Sequence, residues 1–292
     1  MGTNRYSGTC KICGKTVAAE AGELRKDAGQ FVVYHPHCLP AAAPGWHTGL
    51  IGSYDCETTG TDPFNARLVS AAFVTTAGGR REFLVDPGVE IPAEAAAVHG
   101  ISTEHARANG AEPKAALEQI AALLAEHFNT GAPLVVFNAP FDLTLLEAEL
   151  SRHGLTPLRD RVSQIAPVID PLVIDRKLDK WRKGPRKLEA QCEHYGVVIE
   201  NAHNACADAV AAMEVARALA GRYPEIAESE LLALHQEQAQ WKADADADFA
   251  DYKRRKGEEF TPEPGWPVRI PVPAQAGAQP SELSRQSADG RA

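Results

Sequence analysis

Four carboxylates and one histidine stand out for the chemistry their spacing permits. Asp55 and Glu57 are two residues apart at the end of the apolar, β-rich run Gly49–Cys56. In an extended strand, residues i and i+2 face the same side, so a strand continuing through Glu57 would put both carboxylates on one face. Two acids side by side repel and raise each other's pKa unless a cation neutralises them. The pair is costly without a metal and natural with one; the bland alternative is a solvated pair at a strand end. Asp142 follows another apolar run, in Phe137-Asn138-Ala139-Pro140-Phe141-Asp142, and falls in the first turn of a helix. Asp208 falls likewise near a helix start, with His203 just ahead of it in His203-Asn204-Ala205-Cys206-Ala207-Asp208. Singly, an acid in a helical first turn is ordinary helix-dipole electrostatics.

A second group has softer donors. Cys10-Lys-Ile-Cys13-Gly14 is followed, after a spacer, by His35-Pro36-His37-Cys38. Two residues between thiols let both sulfurs reach one ion from a tight turn, and Gly14 lets the backbone fold back. His35 and Cys38 repeat that spacing, so Cys10, Cys13, His35 and Cys38, with His35 preferred over His37, suit one closed, tetrahedral, structural Zn²⁺. A segment of this size has little core of its own, and metal would supply much of its folding energy. The alternatives are free cysteines or a redox pair. The run Gly8 to Thr16 imitates a phosphate-binding loop, but its glycines are too far apart and no strand precedes it.

Taken in order, the acidic motifs resemble the three exonuclease motifs of the DEDD superfamily, with His203 marking its His-type branch. The companions agree: Val98-His99-Gly100-Ile101-Ser102 resembles the loop between the first two motifs. Pro167–Leu172 and Leu188–Val197 resemble the stretches before the third. The similarity covers residues 48–222 and is nearest to epsilon-like proofreading subunits of DNA polymerase III and stand-alone bacterial relatives. It implies an RNase H-like α/β fold and a 3′–5′ exonuclease acting on DNA, single strands preferred, in proofreading or repair. It also implies two Mg²⁺ or Mn²⁺ ions that activate water and neutralise the phosphate. By the same resemblance Asp55 bridges the ions, Glu57 and Asp208 hold the water-activating one, and Asp142 serves the other. His203 is then the general base, a duty suited to a group titrating near neutrality. Thr58 and Thr59 would lie beside the terminal nucleotide, while His99, Ile101, Asn138 and Phe141 would touch or stack on the 3′-terminal bases, plain packing being the alternative for such side chains. The same chemistry on RNA is the enzyme rival, since 2′-hydroxyl contacts decide between them. A catalytically silent nuclease fold serving as an interaction module is the other rival, and the intact set of five residues speaks against it.

Nucleic acid needs a basic surface. Residues 176–187 hold seven basic residues and one acid, with Lys180, Trp181, Arg182 and Lys183 at their centre, a pattern suited to phosphate contact beside a stacking face. A solvated loop is the alternative. Lys253-Arg254-Arg255-Lys256 is a shorter patch. The whole chain carries −9, which excludes a uniformly basic coat. No glutamine-plus-hydrophobic clamp-binding peptide is evident, so association with a polymerase is unsupported.

The elements that must position these groups follow from pattern. After the strand at 49–56, Leu68–Thr76 and Arg81–Asp86 read as strands. Pro113 opens a helix with Leu117, Ile120, Leu124 and Phe128 at helical spacing. Leu134–Phe137 and Val168–Asp170 read as short buried strands; Pro140–His153, Lys187–Tyr195 and Ala205–Arg222 read as helices. Strands followed by mixed α and β predict a central mixed sheet flanked by helices. The chain of 292 residues, 44% hydrophobic and 24% charged, is long enough to bury a real core. It divides into a zinc-binding unit and linker at 1–45, an exonuclease domain at 46–223, a helical extension at 224–260 and a disordered tail at 261–292. Lack of an apolar leader or spanning segment predicts a cytoplasmic protein with few disulfides.

Overall fold

The computed structural model describes residues 2–27, 30–38, 45–199 and 203–271. The N-terminal unit is built of short antiparallel strands: β1 (Gly2–Thr3), β2 (Gly8–Thr9), β3 (Thr16–Val17), β4 (Glu23–Asp27) and β5 (Gln30–Tyr34). β2 pairs with β3 as a hairpin whose connection carries Cys10 and Cys13, and β1, β4 and β5 form a second small sheet. Except for Gly45, the expected linker lies outside the described residues.

The main body is a five-stranded mixed sheet in the order β10-β9-β6-β7-β8, from β6 (Gly52–Thr58), β7 (Leu68–Thr75), β8 (Arg80–Leu84), β9 (Leu134–Val135) and β10 (Val168–Ile169). The first three run antiparallel, whereas β9 is parallel to β6 and β10 to β9. Strand alternation sends Tyr54, Cys56, Ala71 and Phe73 to one core, and Ala72, Val74 and Val135 to the other. The first core is covered by α3 (Pro113–Asn129) and α4 (Ala139–Arg152), which bury Leu117, Ile120, Leu124, Leu143 and Leu146. Gly52 allows α3 its close approach: a Cβ there would stand 2.7 Å from the His127 ring. The second core is covered by the alanine-rich α7 (Ala205–Arg222), whose small side chains let its backbone lie near the sheet.

Three helices arise where the apolar pattern predicts none. α1 (Ala93–His99) and α2 (Thr103–Asn109) flank the expected loop, of which Gly100–Ser102 stay non-helical, and α5 (Pro171–Leu178) starts on the Asp170 cap. α6 (Leu188–Tyr195) precedes α7; the extension divides into α8 (Pro224–Ala227) and α9 (Leu231–Arg255). Residues 261–271 depart from the expected disorder. Trp266 and Val268 pack on the first core, and the Arg269 amide donates to Thr144 Oγ1 at 2.8 Å. Residues 272–292 of the expected tail lie outside the described residues.

α9 also closes a sheet edge. β10 is an edge strand, and its backbone is satisfied by side chains of α9 instead of another strand. His235 Nδ1 accepts from Val168 N at 3.1 Å, Gln238 Oε1 accepts from Asp170 N at 2.7 Å, and Gln238 Nε2 donates to Val168 O at 3.0 Å. An exposed edge invites pairing with other chains; a helix laid over it removes that liability.

Candidate active site and a second donor cluster

The carboxylates meet where β6 ends. Asp55 and Glu57 share the strand face toward α7, and Asp208 projects from the first turn of that helix. One oxygen from each of the three lies within 4.8 Å of the others. Asp142 arrives from the opposite layer on α4, and its Oδ1 accepts from Cys56 N and Cys56 Sγ, both at 3.1 Å. All four acids line one cleft of about 480 Å³, together with His203, Phe137, Asn138 and Phe141. Thus Asp142 flanks the tight trio rather than joining it.

Two left-handed residues shape the entries to these helices. Asn138 has φ 61° at the start of α4 and His203 has φ 67° before α7, conformations uncommon outside glycine. The fully buried Asp170 holds the first: its carboxylate accepts from Asn138 N and Ala139 N at 3.1 and 3.0 Å, and from Leu172 N at 3.0 Å. One side chain therefore fixes the starts of α4 and α5. Asn204 caps α7, and Asp208 Oδ2 accepts from His203 N at 3.2 Å. His203 Nε2 lies 3.4 Å from Glu189 Oε1 on α6.

The electrostatics are those of a site built for cations. Desolvation, then repulsion by Asp142 and Asp208, raises the Asp55 pKa well above the usual range, although part of this side chain faces the open cleft. Glu57 is pushed up to about 7 by burial and by Asp208. Asp142 also reaches about 7, because burial outweighs the hydrogen bonds from Cys56. Asp208 is raised by burial, and its Oδ1 is buried with no hydrogen-bond partner. Crowded hard oxygens, mutual repulsion and one orphaned acceptor fit divalent cations.

The nucleotide contacts expected from sequence are less gathered. Asn138 and Phe141 line the cleft. Thr58 and Thr59 do not; the Thr58 hydroxyl donates to Gly60 O, and Thr59 Oγ1 accepts from Arg67 N, so both close a local turn. Ile101 packs into a small cluster with Val69 and Ile91, and His99 Nδ1 accepts from Ile101 N. Lys180, Trp181, Arg182 and Lys183 lie outside the cleft lining. Arg182 is bound to the fully buried Asp175 at 2.6 Å, as is Arg186. Breaking such a buried pair costs about 3–5 kcal/mol, so Arg182 is not available to phosphate. Lys180 pairs with Asp248 at 2.8 Å, both exposed, an interaction worth only about 0–1 kcal/mol. Trp181 is 86% exposed. The basic residues at the cleft itself are Arg176, Arg186 and Lys187, drawn from the same segment but not from its centre. Glu189 and Asp170 carry no site signal of their own in the sequence, although both lie in the stretches that carry the resemblance.

The N-terminal donors form a different kind of group. Cys10, Cys13, His35 and Cys38 each place one ligand atom within 4.8 Å of the rest. His35 Nδ1 stands 3.4 Å from Cys13 Sγ and 3.9 Å from Cys38 Sγ, against about 3.5–3.8 Å between donors around tetrahedral zinc. Its Nε2 is 3.1 Å from Thr16 O, the arrangement that orients a metal-bound imidazole. His37 only stacks on His35, with ring centroids 5.0 Å apart. Burial opposes ionisation of Cys10, but backbone N–H groups of Cys13, His35 and Ile12 bring its pKa down to about 5. Burial and the neighbouring thiols push Cys38 up to about 11. A cation among them would relieve that crowding.

A mixed sheet covered by helices on both faces, with acids converging at one strand end, defines a nuclease-type α/β domain. The sequence profile of the exonuclease family of RNase T type matches residues 53–216, and the chain belongs to that family. Its enzymes are hydrolases that depend on divalent metal. DNA polymerase III subunit epsilon of Rickettsia conorii is 32% identical over 171 residues, covering 55% of this chain and 69% of that protein. An epsilon-like protein of Rhodobacter capsulatus is 32% identical over 176 residues, 55% of this chain but 22% of that one. E. coli Exonuclease I, solved with a dT13 oligonucleotide, superposes with a TM-score of 0.53 at 22% identity, over 61% of this chain and 42% of its own. The chain thus spans less than half of Exonuclease I, a likeness of fold. No helix among the described residues is long and apolar enough to cross a membrane.

Proposed function

We propose that this protein is a 3′–5′ exonuclease that removes nucleotides from single-stranded DNA ends in the cytoplasm, in proofreading or repair. The observation that carries the proposal is the convergence of Asp55, Glu57 and Asp208 to within 4.8 Å in one cleft with Asp142 and His203. Asp55, Glu57 and Asp208 would hold one divalent ion, and Asp55 with Asp142 a second; Mg²⁺ or Mn²⁺ suits their hard oxygens. When bound, the ions supply Lewis acidity toward the scissile phosphate. The chain's own residues do the rest. His203 accepts the proton of the attacking water, and the Glu189 carboxylate, 3.4 Å from its Nε2, orients the ring. Arg176 and Lys187 at the cleft rim meet backbone phosphates, while Phe137 and Phe141 offer faces to the terminal bases. One structural zinc in the Cys10, Cys13, His35 and Cys38 cluster completes the proposal. Relatives named as polymerase III subunits support DNA over RNA and leave a polymerase partner as a further expectation.

The test is release of nucleotide from a 3′-labelled single strand, with DNA and RNA probes in parallel. Asp55→Asn, or exchange into metal-free buffer, should lower the rate on DNA by more than about a thousandfold. Full activity of the variant would defeat the mechanism, and faster hydrolysis of RNA would move the substrate class.

A further inference from the structure

Beside the acidic cleft runs a second groove of about 820 Å³, walled by α5 and the loop after it on one side and by α9 on the other. Arg176 and Arg186 line both cavities, so the two adjoin. α9 is 25 residues long, about 37 Å, and buries only Leu234 and Gln238, both in its first half. From Trp241 onward it presents Trp241, Phe249 and Tyr252 to the groove; with Ala245 they follow intervals of four, four and three, one stripe of a helix. Phe249 is 44% and Tyr252 42% exposed. Facing them are Lys177, whose Nζ lies 5.6 Å from the Trp241 ring centre, and Lys180.

We propose that this groove carries the 5′-ward stretch of the single-stranded nucleic acid whose 3′ end enters the cleft. Only in placing that 3′ end does this rest on the nuclease reading. Exposed aromatic faces stack on unpaired bases and have nothing to offer a paired duplex, while adjoining cations follow the phosphates. Arg176 and Lys177 have no acid partner among the described residues, and Lys180 can exchange its exposed Asp248 partner for a phosphate at little cost. The acids on the wall are Asp248 and Asp244, and Asp244 accepts from Gln240 Nε2 at 2.7 Å. The groove leads from the cleft mouth along α9 toward the basic residues 253–256 at its end. A stripe that lies outside the matched family region would thus give this chain its own grip on a long substrate.

The experiment measures anisotropy of a labelled oligothymidylate of about twenty nucleotides with full-length protein, in an Asp55→Asn background that leaves the probe uncut. Tyr252→Ala and Phe249→Ala should each weaken binding about tenfold, and Tyr252→Trp should restore it. Lys177→Glu should weaken binding and flatten the salt dependence by about 0.7 in log–log slope for each phosphate it no longer neutralises. With native Asp55, the same changes should leave hydrolysis of a thymidine 5′-monophosphate p-nitrophenyl ester unaltered, since that substrate ends at the cleft. Unchanged affinity and salt slope would overturn the proposal. So would a dimer that the variants turn into a monomer at constant affinity, which would make the stripe a self-interface. If no variant and no native protein hydrolyses either substrate, the nuclease reading falls, yet the binding comparison still decides the groove.

Discussion

The two donor clusters are assembled by opposite means. Cys10, Cys13, His35 and Cys38 come from one short segment, closed by turns and a hairpin, and crowd together with little core beneath them. The acids come from β6, α4 and α7, far apart along the chain, and meet because two hydrophobic layers hold those elements on one sheet. In the first, an ion would hold the fold; in the second, the fold holds repelling carboxylates ready for ions. The donor atoms agree with this division. Sulfur and imidazole suit a closed tetrahedral shell, whereas carboxylates beside an open cleft leave room for phosphate and water.

The sharpest way to break that contrast is to remove one thiol. Cys13→Ser should lower bound zinc from about one per chain to nearly none, and expose residues 2–38 to proteolysis while the body stays resistant. Metal analysis and limited proteolysis of the full chain read both outcomes. A variant that keeps its protease resistance without zinc would mean the segment folds without the ion.

The same contrast explains what was legible beforehand. Local motifs survive reading one residue after another: the Cys and His spacing picks out His35 over His37, and Asp55-x-Glu57 sits on a strand as its period requires. Long-range geometry is only partly readable. That Asp142 approaches from the other layer, and is held by Cys56, depends on which helix covers which face. Arg182 looked like a phosphate contact because a basic run shows charge but not the buried Asp175 that takes it up. α1 and α2 escaped detection because short alanine-rich and polar helices carry weak apolar periodicity. Gln238 gave no signal at all; in a polar helix, one glutamine that turns inward looks like any other.

Gln238 therefore offers a sharper probe of how the body holds its acids. It pairs with both Val168 O and Asp170 N, and the Asp170 carboxylate in turn fixes the turn that aims Asp142. Gln238→Leu leaves a buried donor and acceptor unpaired, at about 1–3 kcal/mol each, and should lower Tm accordingly. As a positioning residue acting through Asp170, it should also reduce kcat about tenfold with little change in KM, since small displacements at a reacting centre are costly. Gln238→Glu, which keeps the acceptor for Asp170 N, should recover most of kcat. Loss of stability with unchanged kcat would confine Gln238 to covering the sheet edge.

The smallest expected effect tests the claim that the carboxylates are held together against their repulsion. Glu57 and Asp142 titrate near 7 in the folded, metal-free protein and near 4 when unfolded. A raised folded pKa stabilises only while the group stays protonated. Their contribution is complete below about pH 4, declines as the unfolded chain ionises first, and is exhausted once pH passes about 7. With zinc left in place and Mg²⁺ withheld, Tm should therefore fall by a few degrees between pH 5 and 8, beyond the drift of a Glu57→Gln/Asp142→Asn variant. Mn²⁺ or Mg²⁺ should reverse the fall, raising Tm more at pH 8 than at pH 5, because only ionised carboxylates bind the ions. Differential scanning calorimetry at matched ionic strength measures both slopes. Equal stabilisation by Mg²⁺ at the two pH values would mean that the acids are not forced together by the fold, and the contrast between the two clusters would lose its electrostatic half.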